Sequence, residues 1–187
     1  MEIKLFKFKS VKSTNDIAIN LIKKKKIQSA MISSQIQTKG RGTMGKKWVS
    51  QKGNIFISIY FKIDHKKINF KQYAILNAYL MKHVISKFIL KKIRIKWPND
   101  LMYNKNKVCG ILQEVVKINK KNFLIVGIGL NTNKDPKDKF FLSISLKDII
   151  KKNINNEILL KKIKKKYEKF LDKIDKYYYL ELKEMYK

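Results

Sequence analysis

The sequence predicts an α+β fold with a mixed or mostly antiparallel β-sheet. Several short apolar segments rich in β-branched residues follow one another with only one long helical pattern between them. Two further segments, one near the N-terminus and one at the C-terminal end, carry apolar residues at helical spacing. This order lacks the regular alternation of strand and helix that a doubly wound parallel sheet requires, so it favours the α+β class.

The N-terminal elements are a strand, a helix and two more strands. Residues 3–8 alternate between apolar and polar side chains, as a half-buried strand does. Ser13 and Asp16 form an S-x-x-D capping arrangement before apolar residues at helical spacing, which predicts a helix N-terminus. Residues 54–62 are apolar and β-branched, and we interpret them and residues 30–36 as strands on either side of a glycine-rich loop.

The rest of the chain contains a long helix, three strands and a terminal helical region. These predicted elements are a helix over 70–90, a strand over 93–97 that Pro98 stops, strands over 108–118 and 123–131, and helical structure from about 157 onward. The residues NKKN between the last two strands are typical of a turn, so we expect a β-hairpin there.

The composition indicates one folded domain with a strong positive charge. The 187 residues are 44% hydrophobic and 11% aromatic, which is enough for a core. Lys and Arg number 44 against 14 Asp and Glu, a balance that suits nucleic acid, a membrane surface or an acidic partner. Only Arg41 and Arg94 are arginines, and the lysines are spread along the chain, as a compositional bias of the genome would also produce. The sequence shows neither a clustered basic face nor stacking aromatics on a strand, which nucleic-acid binding would need.

Redox and targeting features predict a cytoplasmic protein. Cys109 is the single cysteine, which excludes an internal disulfide framework and fits a reducing compartment. It lies on an apolar strand, so we expect it in the core. The N-terminus lacks the apolar core of a signal peptide, and no apolar run approaches the roughly 20 residues of a membrane span.

The loop TKGRGTMGKKW, residues 38–48, satisfies two nucleotide-binding patterns at once, G-x-G-x-x-G and most of G-x-x-x-x-G-K. Both require that a helix begin directly after the loop, because the helix N-terminus faces the phosphates. Here the loop leads through Trp48 into a predicted strand, so we exclude both nucleotide-binding motifs. The kinase motifs H-R-D and D-F-G are missing downstream, which also excludes a protein-kinase glycine loop. Glycines, cations and a flat indole still suit an anionic ligand with a planar part, such as an adenylate.

Five motifs together carry a resemblance to a known family. They are STN at 13–15, GRGTMGKKW at 40–48, KWPND at 96–100, KVCGILQE at 107–114 and GIGLN at 127–131. In this order and spacing, over roughly residues 10–135, the chain resembles the biotin protein ligase (biotin–[carboxylase] ligase) family, whose loop is close to G-R-G-R-x-G-R-x-W.

The resemblance implies a mixed, largely antiparallel sheet backed by helices, akin to the class II aminoacyl-tRNA synthetase core. It also implies a reaction in which ATP, with Mg²⁺, activates biotin as biotinyl-5′-AMP. The biotin is then transferred to a specific lysine of the biotin carboxyl carrier protein of acetyl-CoA carboxylase.

The same resemblance implies roles for particular residues. Lys96 resembles the family lysine that touches both the biotin carboxylate and the α-phosphate, and Arg41 would hold the adenylate phosphate; we expect both to be catalytic. Trp48 and Asn131 would join them in the nucleotide site. The residues implied for biotin are Ser13, Thr14, Asn15, Gln37, Gly40, Arg41, Gly42, Thr43, Lys96, Gly110, Gly127 and Gly129.

Purely structural roles stay open for some of these residues. Ser13 is also the expected helix cap, and the strand glycines Gly110, Gly127 and Gly129 also fit a bulge or tight packing. Asp100 has two open roles, as a magnesium ligand or as a structural turn residue, so no metal ligand is assigned.

Departures from the family define the expected domain organisation. We expect one biotin/lipoate ligase-type catalytic domain over 1–187, without the helix-turn-helix and SH3-like domains of relatives, and hence no sequence-specific DNA binding. A homodimer is compatible with the sequence. Thr43 stands where the family loop usually has a second arginine, and Lys46 where it has a third. The open alternatives are a lipoate–protein ligase, a basic nucleic-acid-binding module and an inactive ligase.

Overall fold

A seven-stranded mixed sheet forms the centre of the structure, a computed structural model that describes residues 2–24, 27–64, 66–136, 141–174 and 184. Its strands are β1 Lys4–Val11, β2 Ala30–Gln37, β3 Ile55–Ile63, β4 Arg94–Lys96, β5 Asp100–Tyr103, β6 Asn106–Ile118 and β7 Lys121–Leu130. The strand order is β1-β2-β3-β7-β6-β5-β4; β1 and β2 are parallel, and all other neighbours are antiparallel. The predicted α+β class with a largely antiparallel sheet is confirmed.

Helices cover both faces of this sheet. They are α1 Thr14–Lys23, α2 Phe70–Ile89, α3 Leu146–Ile150 and α4 Asn156–Ile174. A capping box between Asn69 and Gln72 starts α2. The helical prediction after residue 174 falls on 175–183 and 185–187, which lie outside the described residues. Within the described ranges, no helix is both long and apolar enough to cross a bilayer.

The predicted strands and the long helices are confirmed, and the hairpin has a tight turn. Asn119 and Lys120 connect β6 to β7 with φ of 49° and 62°, the positive values that a two-residue hairpin loop needs. Two short elements, β5 and α3, were not predicted from the sequence. These elements have four and five residues, too few for an apolar period to stand out.

The two faces of the sheet have different partners. Tyr73 of α2 and Phe170 of α4 pack against Phe61 of β3, with ring centroids 6.0 and 6.1 Å away. On the opposite face, α1 packs on a smaller cluster that includes Tyr60 and Ile125. Because side chains alternate along a strand, the site glycines Gly127 and Gly129 lie on the same face as Ile125, which is the α1 face. The predicted site therefore lies on that face, opposite α2 and α4.

Cys109 belongs to the main core, as expected. It is fully buried on β6, and burial raises the pKa of its thiol far above the ordinary value. A buried protonated thiol is a poor nucleophile, so we assign Cys109 a packing role.

Candidate active site

A cavity on the α1 face collects most of the residues that the motifs indicate. It lies between the start of α1, the glycine loop after β2, and strands β6 and β7. Expected residues that line it are Ser13, Thr14, Asn15, Gln37, Arg41, Gly42, Thr43, Trp48, Gly110, Gly127 and Gly129. Its other lining residues are Ile57, Asn99, Lys107, Ile111, Leu112 and Ile128. The fold thus brings together motifs that are far apart along the chain.

A polar network fixes one end of the cavity. The backbone N–H and the hydroxyl of Thr14 both donate to Gln37 Oε1, at 2.8 and 3.0 Å. Gln37 Nε2 donates to Ser50 Oγ at 3.1 Å, which sets the orientation of the amide. Ser58, fully buried on β3, donates to Thr14 Oγ1 at 2.7 Å and also contacts Asn15 Oδ1. Such a network holds its hydroxyl and amide groups in fixed directions before a ligand arrives.

The capping arrangement predicted from Ser13 and Asp16 is corrected by the structure. Ser13 occupies the N-cap position, but its side chain makes no capping hydrogen bond within the described part of the chain. It lines the cavity instead and is 2% exposed. The Asp16 carboxylate pairs with Arg41 of the glycine loop. Ser13 therefore faces the cavity, and Asp16 faces the glycine loop rather than the helix end.

Arg41 lies between two carboxylates. Its Nη2 is 2.9 Å from Glu114 Oε2 and 3.0 Å from Asp16 Oδ1. Glu114 Oε2 also accepts a hydrogen bond of 2.5 Å from Asn15 Nδ2. Glu114 therefore links the polar network to the arginine, and an anionic ligand has to compete with two carboxylates for the guanidinium.

Lys107 is the second cation in the cavity wall, and the sequence analysis did not select it. Its Nζ is 2.7 Å from Asp100 Oδ1 and lies 5.2 Å from the centre of the Trp48 ring. The Lys107 side chain is 14% exposed, so its charge acts in a largely desolvated setting.

A β-bulge places Lys107 on the cavity side. Leu101 of β5 pairs with Cys109, but the next residue, Met102, pairs with Lys107, so β6 carries one extra residue there. Regular alternation would put Lys107 and Gly110 on opposite faces of the sheet. The bulge brings them to the same face: a Cβ at Gly110 would lie 3.2 Å from Lys107 Cε.

Trp48 fills much of the cavity. A Cβ built on Gly110 or Gly129 would lie 2.6 or 2.2 Å from indole atoms, so only glycine lets the ring approach these strands. The space that remains is about 40 Å³. Ligand pockets usually measure about 300–1,000 Å³. A ligand with a ring system therefore requires that the Trp48 indole move aside.

Three expected residues lie outside the lining. Gly40 sits behind it, where a Cβ would lie 2.5 Å from the Trp48 carbonyl oxygen. Asn131 is fully buried and donates to the Lys107 carbonyl at 3.4 Å, so it supports the strand that carries the cation. Lys96 is exposed at the end of β4, opposite Asp100 in the strand pair and one strand further out than β5. Lys96 is therefore not among the residues that line the cavity, and the expectation that it contacts the ligand stays a prediction.

Three site residues that were not predicted from the sequence belong to motifs that had been singled out. Asn99 is in KWPND, and its Nδ2 donates to the Ile111 carbonyl at 3.2 Å. Lys107 and Glu114 are the first and last residues of KVCGILQE. The motifs therefore located the right segments. The individual side chains that face the cavity depend on the bulge and on contacts between distant strands.

No group of three or more His, Cys, Asp or Glu side chains that could hold a metal occurs among the described residues. A lone carboxylate such as Asp100 still suits Mg²⁺, which proteins usually bind through one or two carboxylates together with substrate phosphates.

Comparisons with known proteins agree with this geometry. The model of the Biotin/lipoate A/B protein ligase family matches residues 7–131. The Bifunctional ligase/repressor BirA of Bacillus subtilis is 32% identical over 128 residues, which are 67% of this chain and 39% of that protein. Biotin–protein ligase 2 of Arabidopsis thaliana is 31% identical over 181 residues, covering 93% of this chain and 54% of that protein.

A solved structure extends the similarity to the fold. The structure of biotin protein ligase from Aquifex aeolicus in complex with biotin and ATP matches with a TM-score of 0.81 and 28% identity, covering 97% of this chain and 76% of that one. The chain spans less than two thirds of the length of the curated relatives described above. The family match covers every residue that lines the cavity, and the chain therefore belongs to the biotin/lipoate A/B protein ligase family.

Proposed function

We propose that this chain is a biotin–protein ligase. It activates biotin with ATP as biotinyl-5′-AMP and transfers the biotin to a specific lysine of the biotin carboxyl carrier protein of acetyl-CoA carboxylase. The observation that carries the proposal is one cavity with a fixed hydroxyl and amide network at one end and two cations, Arg41 and Lys107, in its wall. The ligand that fits both parts has a polar head and an anionic end.

The polar network suits the ureido head of biotin, which carries two N–H donors and one carbonyl acceptor. Ser13, Thr14 and Gln37 supply hydroxyl and amide groups, and Leu112, which pairs with Gly127, supplies an apolar wall. Gly127 leaves room beside Asn15, because a Cβ there would lie 2.6 Å from Asn15 Oδ1. The cavity thus combines an apolar wall with a few fixed polar groups, as small-molecule sites usually do.

The two cations suit the activation step. A biotin carboxylate oxygen bonds to the α-phosphorus of ATP, and the bond to the bridging oxygen of the β-phosphate breaks, so pyrophosphate leaves with the electron pair. Two anions must approach each other, and catalysis is therefore mostly charge neutralisation and positioning. Lys107 neutralises charge from the cavity wall, Lys96 stays the lysine expected at the carboxylate and the α-phosphate, and Arg41 holds the phosphate after leaving its carboxylates.

The remaining residues position and protect the activated intermediate. Mg²⁺ bound with ATP would neutralise charge on the phosphates, with Asp100 as the protein carboxylate that fits it. Trp48, once displaced by biotin, provides a flat surface for the nucleotide and excludes water from the mixed anhydride. In the second step, the neutral amine of the carrier lysine attacks the acyl carbon, AMP leaves and the amine loses a proton.

Glu114 should weaken anion binding, because its carboxylate forms an ion pair with the Arg41 guanidinium. Glu114→Gln keeps an acceptor for Asn15 but removes the charge. We expect ATP to bind about fivefold more tightly, as an ion pair of this exposure is worth about 1 kcal/mol. Isothermal titration at low salt measures the change. Glu157→Gln removes the same charge from the exposed pair with Lys7 and serves as the control. Equal shifts in both variants, or weaker binding by Glu114→Gln, would contradict this role.

Transfer to a carrier domain tests the proposed function. The protein is incubated with biotin, ATP–Mg²⁺ and a biotin carboxyl carrier domain, and the mass of the carrier is measured. We expect a single addition of biotin with loss of water on one lysine, and none when that lysine is arginine. A carrier that stays unmodified with biotin, while a lipoyl domain gains lipoate under the same conditions, would assign the chain to the lipoate branch.

A further inference from the structure

A second cavity lies on the opposite side of the sheet from the active site. It is a groove of about 300 Å³ between α2 and α4, with Val84 and Phe88 among its lining residues. The titratable side chains that line this groove are all basic; they are His83, Lys87, Lys162, Lys165, Lys166 and Lys169. We call it the basic groove. Four of these lysines lie within eight positions of α4, and the fold adds His83 and Lys87 from a helix about 80 positions away.

The cations of the basic groove are close enough to affect one another. Burial, followed by the charges of Lys87, Lys169 and Lys173, lowers the pKa of Lys166 to about 8. Burial, followed by Lys166 and Lys87, also lowers the pKa of His83. The groove therefore gathers several basic groups in a partly buried setting, where a bound anion would favour their charged forms.

The spacing of the lysines matches a linear polyanion. Lys162, Lys166 and Lys169 follow one another at four and three positions, so they lie on one face of α4. They span about 10 Å along the helix axis at 1.5 Å per residue. A nucleic-acid strand carries one phosphate per roughly 3.4 Å of axis, so this length faces about three phosphates. Lys87 extends the positive surface across the groove onto α2.

We propose that the basic groove binds the sugar–phosphate backbone of nucleic acid without sequence preference. Lysine side chains act as point charges that contact phosphates and carry no base readout. A membrane surface fits less well, since the apolar face of α4, with Tyr167, Phe170 and Leu171, is buried in the core and has nothing to insert into lipid. An acidic carrier domain fits less well because its target site is on the other face of the sheet.

The salt dependence of binding distinguishes phosphate contacts in the basic groove from an effect of the total positive charge of the protein. The probe is a fluorescent 20-base-pair duplex of arbitrary sequence, titrated between low and moderate salt. The test variant is Lys162→Gln/Lys166→Gln/Lys169→Gln, and glutamine keeps the helix propensity of lysine. The control variant Lys9→Gln/Lys62→Gln/Lys117→Gln loses the same charge from three exposed strand positions.

We expect the slope of log affinity against log salt to become less steep by about 2.7 in the groove variant, because each lost phosphate contact contributes about 0.9. The control variant should keep nearly the wild-type slope. Equal losses in both variants would overturn the proposal, since the binding would then reflect total charge. An unchanged slope in the groove variant, with loss of binding to poly-glutamate, would overturn it in favour of an acidic protein partner.

Discussion

Lys107→Ala should slow biotinyl-adenylate formation about 10²–10³-fold, the usual loss when one preorganised group that stabilises transition-state charge is removed. Lys107 lies in the cavity wall, paired with Asp100 and placed over the Trp48 ring. Lys96→Ala should also slow this step, because the KWPND resemblance implies a role for Lys96, which lies opposite Asp100, the ion-pair partner of Lys107. The two variants therefore test the two lysines separately.

Single-turnover formation of labelled adenylate measures both rates. A thermal melt of each variant is the control, because Lys107 also pairs with a carboxylate and its loss costs some stability. If Lys107→Ala melts like the wild type and still forms adenylate at the wild-type rate, the assignment of Lys107 is wrong. Loss of activity in Lys96→Ala alone would assign the charge neutralisation to Lys96 only.

Thr43→Arg should lengthen the lifetime of the bound adenylate about ten- to hundredfold. Thr43 lines the cavity within a short 3₁₀ turn of the glycine loop, where the family loop usually carries an arginine. An arginine there can make charge-assisted hydrogen bonds that threonine cannot, each worth roughly 1.5–3 kcal/mol. Its neighbours Lys46 and Lys47 are exposed and flexible, so they replace this interaction only in part.

A chase of preformed, labelled biotinyl-adenylate with unlabelled ligand measures the lifetime. The wild type should also biotinylate bystander lysines when no carrier is present, and Thr43→Arg should do so less while adenylation keeps its rate. Thr43→Ser is the control for a change at the position without a new charge. Identical off-rates for wild type and Thr43→Arg would show that this position does not control retention.

The regular elements could be predicted because their signals are local. Residues 54–62 and 70–90 carry a clear period over enough residues to exclude alternatives, and the strands and helix appear within one residue of those bounds. The glycine loop could also be separated from Rossmann and P-loop motifs, since β3 follows it after a short extended segment. The cavity residues shared with the motifs follow from the family resemblance that the five motifs carry.

The rest of the site depends on interactions between distant parts of the chain. The bulge opposite Leu101 and Met102 moves the Lys107 side chain to the other face of the sheet, and no periodic pattern in the sequence indicates this change. Asp16 carries a capping pattern, but its carboxylate pairs with Arg41, which comes from another element. Glu114 reaches the same arginine from β6. Local rules therefore located the segments of the site but could not assign the partners of its charges.

Exchange of labelled pyrophosphate into ATP tests the central claim most directly, because it reports the activation step without the carrier. The account predicts exchange that requires biotin, needs no carrier domain and is lost in Lys107→Ala. No exchange in the presence of biotin and Mg²⁺, or an equal rate with and without biotin, would contradict the claim that this cavity activates biotin.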